Sequence, residues 1–372
     1  MYRFLSTALA VLALGAMTAA AGTSTATGVS RTMNPAISLN ALFLGQWNDD
    51  TPTADENFAK LQEAEIQFSS VVDPFWTADV VVAFHPAHAE DGEEAHGLVT
   101  DLEIAALQST RLPAGLGLTL GRFYVPFGKH SLLHTHQYPF TRAPIAVQAF
   151  LGDHGLTEVG AKLDYTVGLP WWSELSVAGV NGDAEIFDAE DRAPAYAAHW
   201  TNLWDVSDGG TLELGGSWLS GPGALHEGEA GGLDVWGADL TWRWESVTRS
   251  HGPAASVSAE IIAPDPEHAE GDPFGWFVNA QARVQRNWWV GLGYGQASDA
   301  SGLEHDHAEE AEAEDELLDW TEWKAALTYA PSEYSALRLE AAHLEAADGG
   351  PSDLRVSLQW NFTIGSHPAH LY

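Results

Sequence analysis

The stretch LRVSLQWNFTI, residues 354–364, decides how the chain must be read. Leu354, Val356, Leu358, Trp360, Phe362 and Ile364 share one parity, and Arg355, Ser357, Gln359, Asn361 and Thr363 share the other. Successive side chains of a strand point to opposite faces, so this is a strand with one apolar and one polar face. The alternation recurs upstream. Trp236, Ala238, Leu240, Trp242 and Trp244 alternate with Val235, Gly237, Asp239, Thr241 and Arg243. Val159, Ala161, Leu163, Tyr165 and Val167 oppose Glu158, Gly160, Lys162, Asp164 and Thr166.

Sixteen segments fit this template, near 36–47, 61–72, 75–84, 98–110, 116–124, 156–167, 172–181, 196–205, 210–220, 233–245, 253–263, 275–286, 287–297, 320–330, 334–345 and 354–364. Short connections (Asp73-Pro74, 111–115, 168–171, 207–210 and Arg286-Asn287) alternate with long ones (48–60, 85–97, 125–155, 182–195, 221–232, 264–274, 298–319 and 346–353). An even strand number with tight turns at one end and long loops at the other predicts an all-β fold, a sixteen-stranded antiparallel transmembrane β-barrel with long extracellular loops.

A soluble β-sandwich also alternates. Here, however, the polar face carries Glu63, Glu65, Asp79, Lys162, Arg243, Arg283, Glu322, Lys324 and Arg355, which suit a wet lumen better than a dry core. Trp47, Trp76, Trp171, Trp172, Trp200, Trp204, Trp218, Trp288, Trp289, Trp320 and Trp323 fall near strand ends, where aromatic girdles meet the membrane interfaces. One strand breaks the rule. The parity of Leu116, Leu118 and Leu120 would set Arg122 against lipid, which predicts a bulge or an early strand end there.

The N-terminus reads as an export signal over residues 1–22: Arg3, the apolar run Phe4 to Ala16, then small residues at Ala19 to Gly22. A short segment, 23–35, leads into one barrel over 36–372. The expected location is the outer membrane of a Gram-negative bacterium. The expected partners are its lipid and lipopolysaccharide, the barrel-assembly machinery and, by analogy with porins of this size, two further copies in a homotrimer. With 52 acidic against 16 basic residues the formal charge is −36, which repels nucleic acid and attracts cations. No cysteine is present, so disulfides and thiolate metal sites are excluded.

Histidine is concentrated in the long connections. HPAHAEDGEEAH (85–96) and HDHAEEAEAEDE (305–316) mix imidazole with carboxylate, the natural ligands of zinc-like ions where thiolate is missing. The expected metal-capturing residues are His85, His88, Glu93, Glu94, His96, His134, His136, His305, Asp306, His307, Glu309 and Glu310. The two i, i+2 pairs, His134/His136 and His305/His307, let both rings face one ion from extended chain. Acid runs without such spacing are also what a solvated surface looks like. Residues 125–155 are too long and too apolar for a loop in water. They are expected to fold into the barrel as a constriction lined by Lys129, His130, His134, His136, Arg142 and His154.

Four stretches, NPAISLNALFLGQW (34–47), LQEAEIQFSSVVDPFWTADVVVAF (61–84), FGKHSLLHTHQYPF (127–140) and FLGDHGLTEVGAKLDY (150–165), resemble a bacterial family labelled zinc-regulated TonB-dependent outer membrane receptor. The layout is also similar to that of sixteen-stranded phosphate-selective porins. The resemblance implies an outer-membrane barrel with a link to zinc. The chain departs from TonB-dependent receptors in having no length for a 22-stranded barrel plus plug, and from phosphate-selective porins in its four Lys and acidic charge.

The function expected from these readings is passive uptake of divalent metal, zinc or another divalent cation being the bound or transported ion and no cofactor being required. The alternative is a general or anion-accepting porin whose acidic, His-bearing loops are only solvated surface. Catalysis is not expected. Ser131 beside His130, and Asp153-His154, are the only suggestive sets, and sequence neighbours seldom meet as nucleophile and base.

Overall fold

In a computed structural model, the structure describes residues 34–48, 59–86, 97–152, 155–184, 186–187, 193–226, 229–248, 252–266, 273–298, 319–347, 350 and 352–365. The described residues form sixteen strands. They are β1 Ala36–Asn48, β2 Ala59–Asp73, β3 Trp76–Pro86, β4 Leu98–Ser109, β5 Leu116–Tyr124, β6 Thr157–Thr166, β7 Trp172–Val180 and β8 Ala195–Ser207, then β9 Gly210–His226, β10 Glu229–Glu245, β11 Ala254–Pro266, β12 Phe274–Gln285, β13 Trp288–Ser298, β14 Trp320–Ser332, β15 Ser335–Ala346 and β16 Ser352–Gly365. Each pairs antiparallel with the next, and β1 pairs with β16, from Ser38 opposite Gly365 to Asn48 opposite Arg355. The sheet therefore has no free edge, the condition for surviving in lipid.

The two faces are inverted relative to a soluble protein. In β16 the apolar Leu358 and Trp360 are exposed, whereas Ser357, Gln359 and Thr363 are buried. Ile37, Phe43, Tyr196, Trp236, Leu292 and Trp323 are likewise exposed on the outside. A continuous apolar exterior on this scale is stable only against hydrocarbon. Aromatic pairs mark two levels. Trp171 with Trp204 and Trp288 with Tyr329 lie towards the tight turns, and Tyr294 packs edge-on to Trp276 and tilted against Trp323 near the long connections. The chain is an integral outer-membrane barrel.

Two expectations need correction. Residues 221–232 are no long loop: β9 runs on to His226 and β10 starts at Glu229, so the two strands nearly meet in a hairpin. Trp320 belongs to no girdle. It is buried inside, in a cluster with Ile145, Leu344 and Ala346. His199 of β8 faces inward, with Nε2 2.9 Å from the buried Asp239 Oδ2.

The irregularity expected near Arg122 sits one residue earlier. Gly121 has φ +116°, and a Cβ there would lie 2.2 Å from the Ala105 carbonyl oxygen. Only glycine fits that close approach. The half-buried Arg122 donates to Thr157 Oγ1 at 2.8 Å.

Candidate constriction and metal centre

Residues 125–155 fold into the lumen, and the residue types dictate how. The segment is rich in apolar side chains but lacks a strand partner, so its backbone polar groups need acceptors and donors from elsewhere. It forms two short 3-10 turns, His130–Leu132 and Thr135–Gln137, and one short helix, α1, Ile145–Leu151, started by Pro144. Val125, Phe127, Tyr138, Ala143, Val147 and Leu151 are buried together with Phe277, Ile262 and Val235 of the inner wall. Wall glycines leave room for the rings. A Cβ at Gly237 would stand 2.7 Å from Phe127, and one at Gly275 2.7 Å from Phe150.

The inward-facing charges supply the missing hydrogen bonds. Glu260 Oε1 accepts from the backbone N–H groups of Lys129 at 2.7 Å and His130 at 2.5 Å. Glu340 accepts from both the N–H and the hydroxyl of Thr141, at 2.8 and 2.7 Å. Glu322 accepts from Ile145 N–H at 3.1 Å, at the positive end of α1. Arg338 donates to the carbonyls of Tyr138 and Phe140, both at 2.9 Å, and Lys324 donates to that of Ala143 at 2.8 Å. Glu63, Glu65, Glu322 and Lys324 are therefore dry tethers, which corrects their reading as lining of a wet lumen.

Two bulges aim further side chains at the loop. The β1–β2 register passes from Leu42 opposite Glu63 to Phe43 opposite Leu61, leaving Gln62 unpaired in the ladder. Gln62 and Glu63, adjacent in sequence, both reach the loop: Gln62 donates to the Thr141 carbonyl at 2.8 Å, and Glu63 accepts from Thr135 Oγ1 at 2.9 Å. The β3–β4 register skips Glu103 in the same way, between Val81 opposite Ile104 and Val82 opposite Leu102. A bulge re-aims a side chain that strict alternation would misplace. Here it brings Glu103 Oε2 to 3.0 Å from His134 Nδ1.

Around His134 and His136 these elements build one cluster. Glu65 Oε2 lies 3.3 Å from His134 Nδ1, and Glu65 Oε1 lies 3.2 Å from His136 Nδ1. The two imidazoles lie nearly parallel, with centroids 5.5 Å apart. Two sets of ligand atoms, Glu63/Glu65/His136 and Glu65/Glu103/His134, each lie within 4.8 Å of one another. Burial disfavours charge on His134, but the Glu65 and Glu103 carboxylates outweigh it and push the imidazole up to about 10.

The expected site residues separate. His134 and His136 come together, with wall carboxylates that sequence reading had placed in the lumen without a role as ligands. His130 does not line an opening: it is 4% exposed, tilted against Tyr138 at 4.6 Å and edge-on to Phe277 at 5.6 Å. Burial, then the nearby Lys324 ammonium, pushes its imidazole down to about 3. His136, 5% exposed, is turned into the wall rather than the passage. Lys129 pairs with Glu213 and stays half-buried, as does Arg142. His85 is the penultimate residue of β3, with Nδ1 3.2 Å from the Pro86 carbonyl. His88, Glu93, Glu94, His96, His154, His305, Asp306, His307, Glu309 and Glu310 lie outside the described residues. Ser131 Oγ donates to the Phe127 carbonyl and not to His130, so that pair forms no nucleophile and base.

No family model matches the chain. An uncharacterized protein of Aquifex aeolicus is 23% identical over 350 residues, spanning 83% of this chain and 69% of that one. Solved structures similar to the whole barrel include OprB of Pseudomonas putida, with a TM-score of 0.60 at 10% identity, covering 89% of this chain and 94% of that one. An anion-selective porin from Comamonas acidovorans gives 0.55 at 13% identity, with 89% and 98% covered. The outer membrane protein OmpT of Vibrio cholerae, in a trimer form, gives 0.52 at 10% identity, with 89% and 99% covered. The chain has the porin fold. Sixteen strands and a loop-filled lumen set this porin barrel apart from the 22-stranded, plugged transporters.

Proposed function

We propose that the protein is a passive outer-membrane channel whose passage runs between the infolded loop and the wall from β3 to β10, near the tight turns. The observation that carries this is a contrast in burial. The loop's polar tethers go to β2, β4, β9, β11 and β14–β16, while Asp79, Lys162, Asp164, Glu174, Glu213 and Arg243 stay half-buried on the inner face. With Lys129 added, this wall holds four acids and three bases, a mild excess of negative charge. The larger excess lies in the long connections, where residues 303–319 contain nine acids and no base. A negative vestibule raises local cation concentration and entry rate, most at low ionic strength.

The reading is that divalent ions, zinc foremost, gather at these loops and diffuse inward. The imidazole and carboxylate donors of the long connections support the choice of ion, and the trimer form of the structurally similar OmpT supports assembly as a homotrimer. No chemical step is involved. The near balance of charge along the passage favours a second reading, a general porin without metal preference. Reversal potentials in planar bilayers under a salt gradient separate the two. Cation preference that falls when the acids of 304–316 are neutralised supports metal uptake; no preference, or anion preference, removes it.

A further inference from the structure

The cluster of His134, His136, Glu63, Glu65 and Glu103 holds three carboxylates and two imidazoles in a space where all but His134 are nine-tenths buried or more. Three gathered carboxylates are costly to bury unless positive charge sits among them, and a bound cation supplies it. The geometry is suited to an ion. Ligand atoms about 2.0–2.1 Å from a tetrahedral zinc stand about 3.3 Å apart. The imidazole–carboxylate pairs stand 3.0, 3.3 and 3.2 Å apart, and the donor atoms of each set of three lie within 4.8 Å of one another. Both rings turn the same atom, Nδ1, towards the same carboxylate, Glu65. Three remote parts of the chain meet here: β2, a bulge in β4 and the loop.

We infer that this cluster binds a divalent transition-metal ion, with Glu65 common to both ligand sets, and that the ion latches the constriction loop to the β2–β4 wall. This site differs from metal capture by the outer loops. Its carboxylates come from strands β2 and β4 and its imidazoles from a loop packed inside the barrel, so little chain needs ordering on binding. The ion here is a resident clasp and not cargo. Carboxylate and imidazole donors without thiolate favour zinc and its neighbours over magnesium or copper(I). The proposed effect on conductance rests on reading 125–155 as the constriction; the binding does not.

The test uses the full chain with His85, His88, His96, His305 and His307 replaced by Ala, so that the outer loops are silent. After loading with zinc and gel filtration over a weak chelator, elemental analysis is expected to find about one zinc per chain. Adding His134→Gln and His136→Gln is expected to remove it, and Glu103→Gln to weaken binding at least about tenfold. Heat-modifiable gel mobility checks that each variant still forms the barrel. Folded background protein that retains no zinc overturns the site, as does retention unchanged by the double substitution. In bilayers, zinc is expected to quiet open-channel fluctuations of the background protein and leave the double variant unaffected. Zinc retained without any change in fluctuation overturns the latch while leaving the site standing.

Discussion

Two groups of carboxylates share the inner face of this barrel and behave differently. Glu63, Glu260, Glu322 and Glu340 lie under the loop, each buried and each accepting a hydrogen bond from it. Asp79, Asp164 and Glu174 occupy the same parity on the opposite wall and keep contact with solvent. Alternation sends both groups inward and says nothing of what they meet. Whether an inward charge is a tether or part of a passage depends on where one 31-residue segment lies down.

The sharpest way to break that contrast is Glu340→Ala. It leaves the Thr141 N–H and hydroxyl without their acceptor inside the lumen, a loss of about 3–5 kcal/mol. The loop should loosen, seen as higher single-channel conductance and an earlier thermal transition of the barrel. Next comes Phe140→Ala, which empties a seat beside Gly291 and Gly293 and is expected to cost about 3 kcal/mol by the same thermal measurement.

Acid should act on the covered region too. Folded His130 stays neutral down to about 3, whereas an unfolded chain protonates near 6.5. Between those values the unfolded state binds the extra proton, so this contribution is complete above pH 6.5 and shrinks as pH falls towards 3. The thermal transition of the wild type should drop across that window, and that of His130→Phe should drop less. The smallest effect belongs to the open wall. Asp164→Asn, beside Lys162 at 3.3 Å, should change stability by no more than about 0.5 kcal/mol yet move the reversal potential towards anions.

Most of the barrel was legible because alternation is a local property. The strand at 354–364 shows its two faces within eleven residues, and the other strands repeat it. The overshoot of β9 and β10 into 221–232 was not legible: GPG and EAGG carry turn chemistry, and pairing across the hairpin overrides it. The apolar character of 125–155 marked it as buried, but its partners lie as far as 225 residues away, as with Asn361 and the His136 carbonyl. Glu65 and Glu103 escaped notice as ligands for the same reason. HTH at 134–136 signals half of the inferred metal site; the other candidate ligands sit on β2 and on a bulge in β4 that no local pattern announces. His130 looked the same as its neighbours and differs only because Tyr138 and Phe277 close over it.

The seat of the infolded segment also orders events in time. Its contacts include Gln62 on the second strand and Glu340 and Asn361 on the last two, so its docking site is incomplete until the first and last strands zip together. Until then Phe127, Phe140 and Val147 have nowhere dry to go, and the nascent chain carries an exposed greasy segment that a periplasmic chaperone would have to shield. Complete seating of the segment therefore requires the closed cylinder.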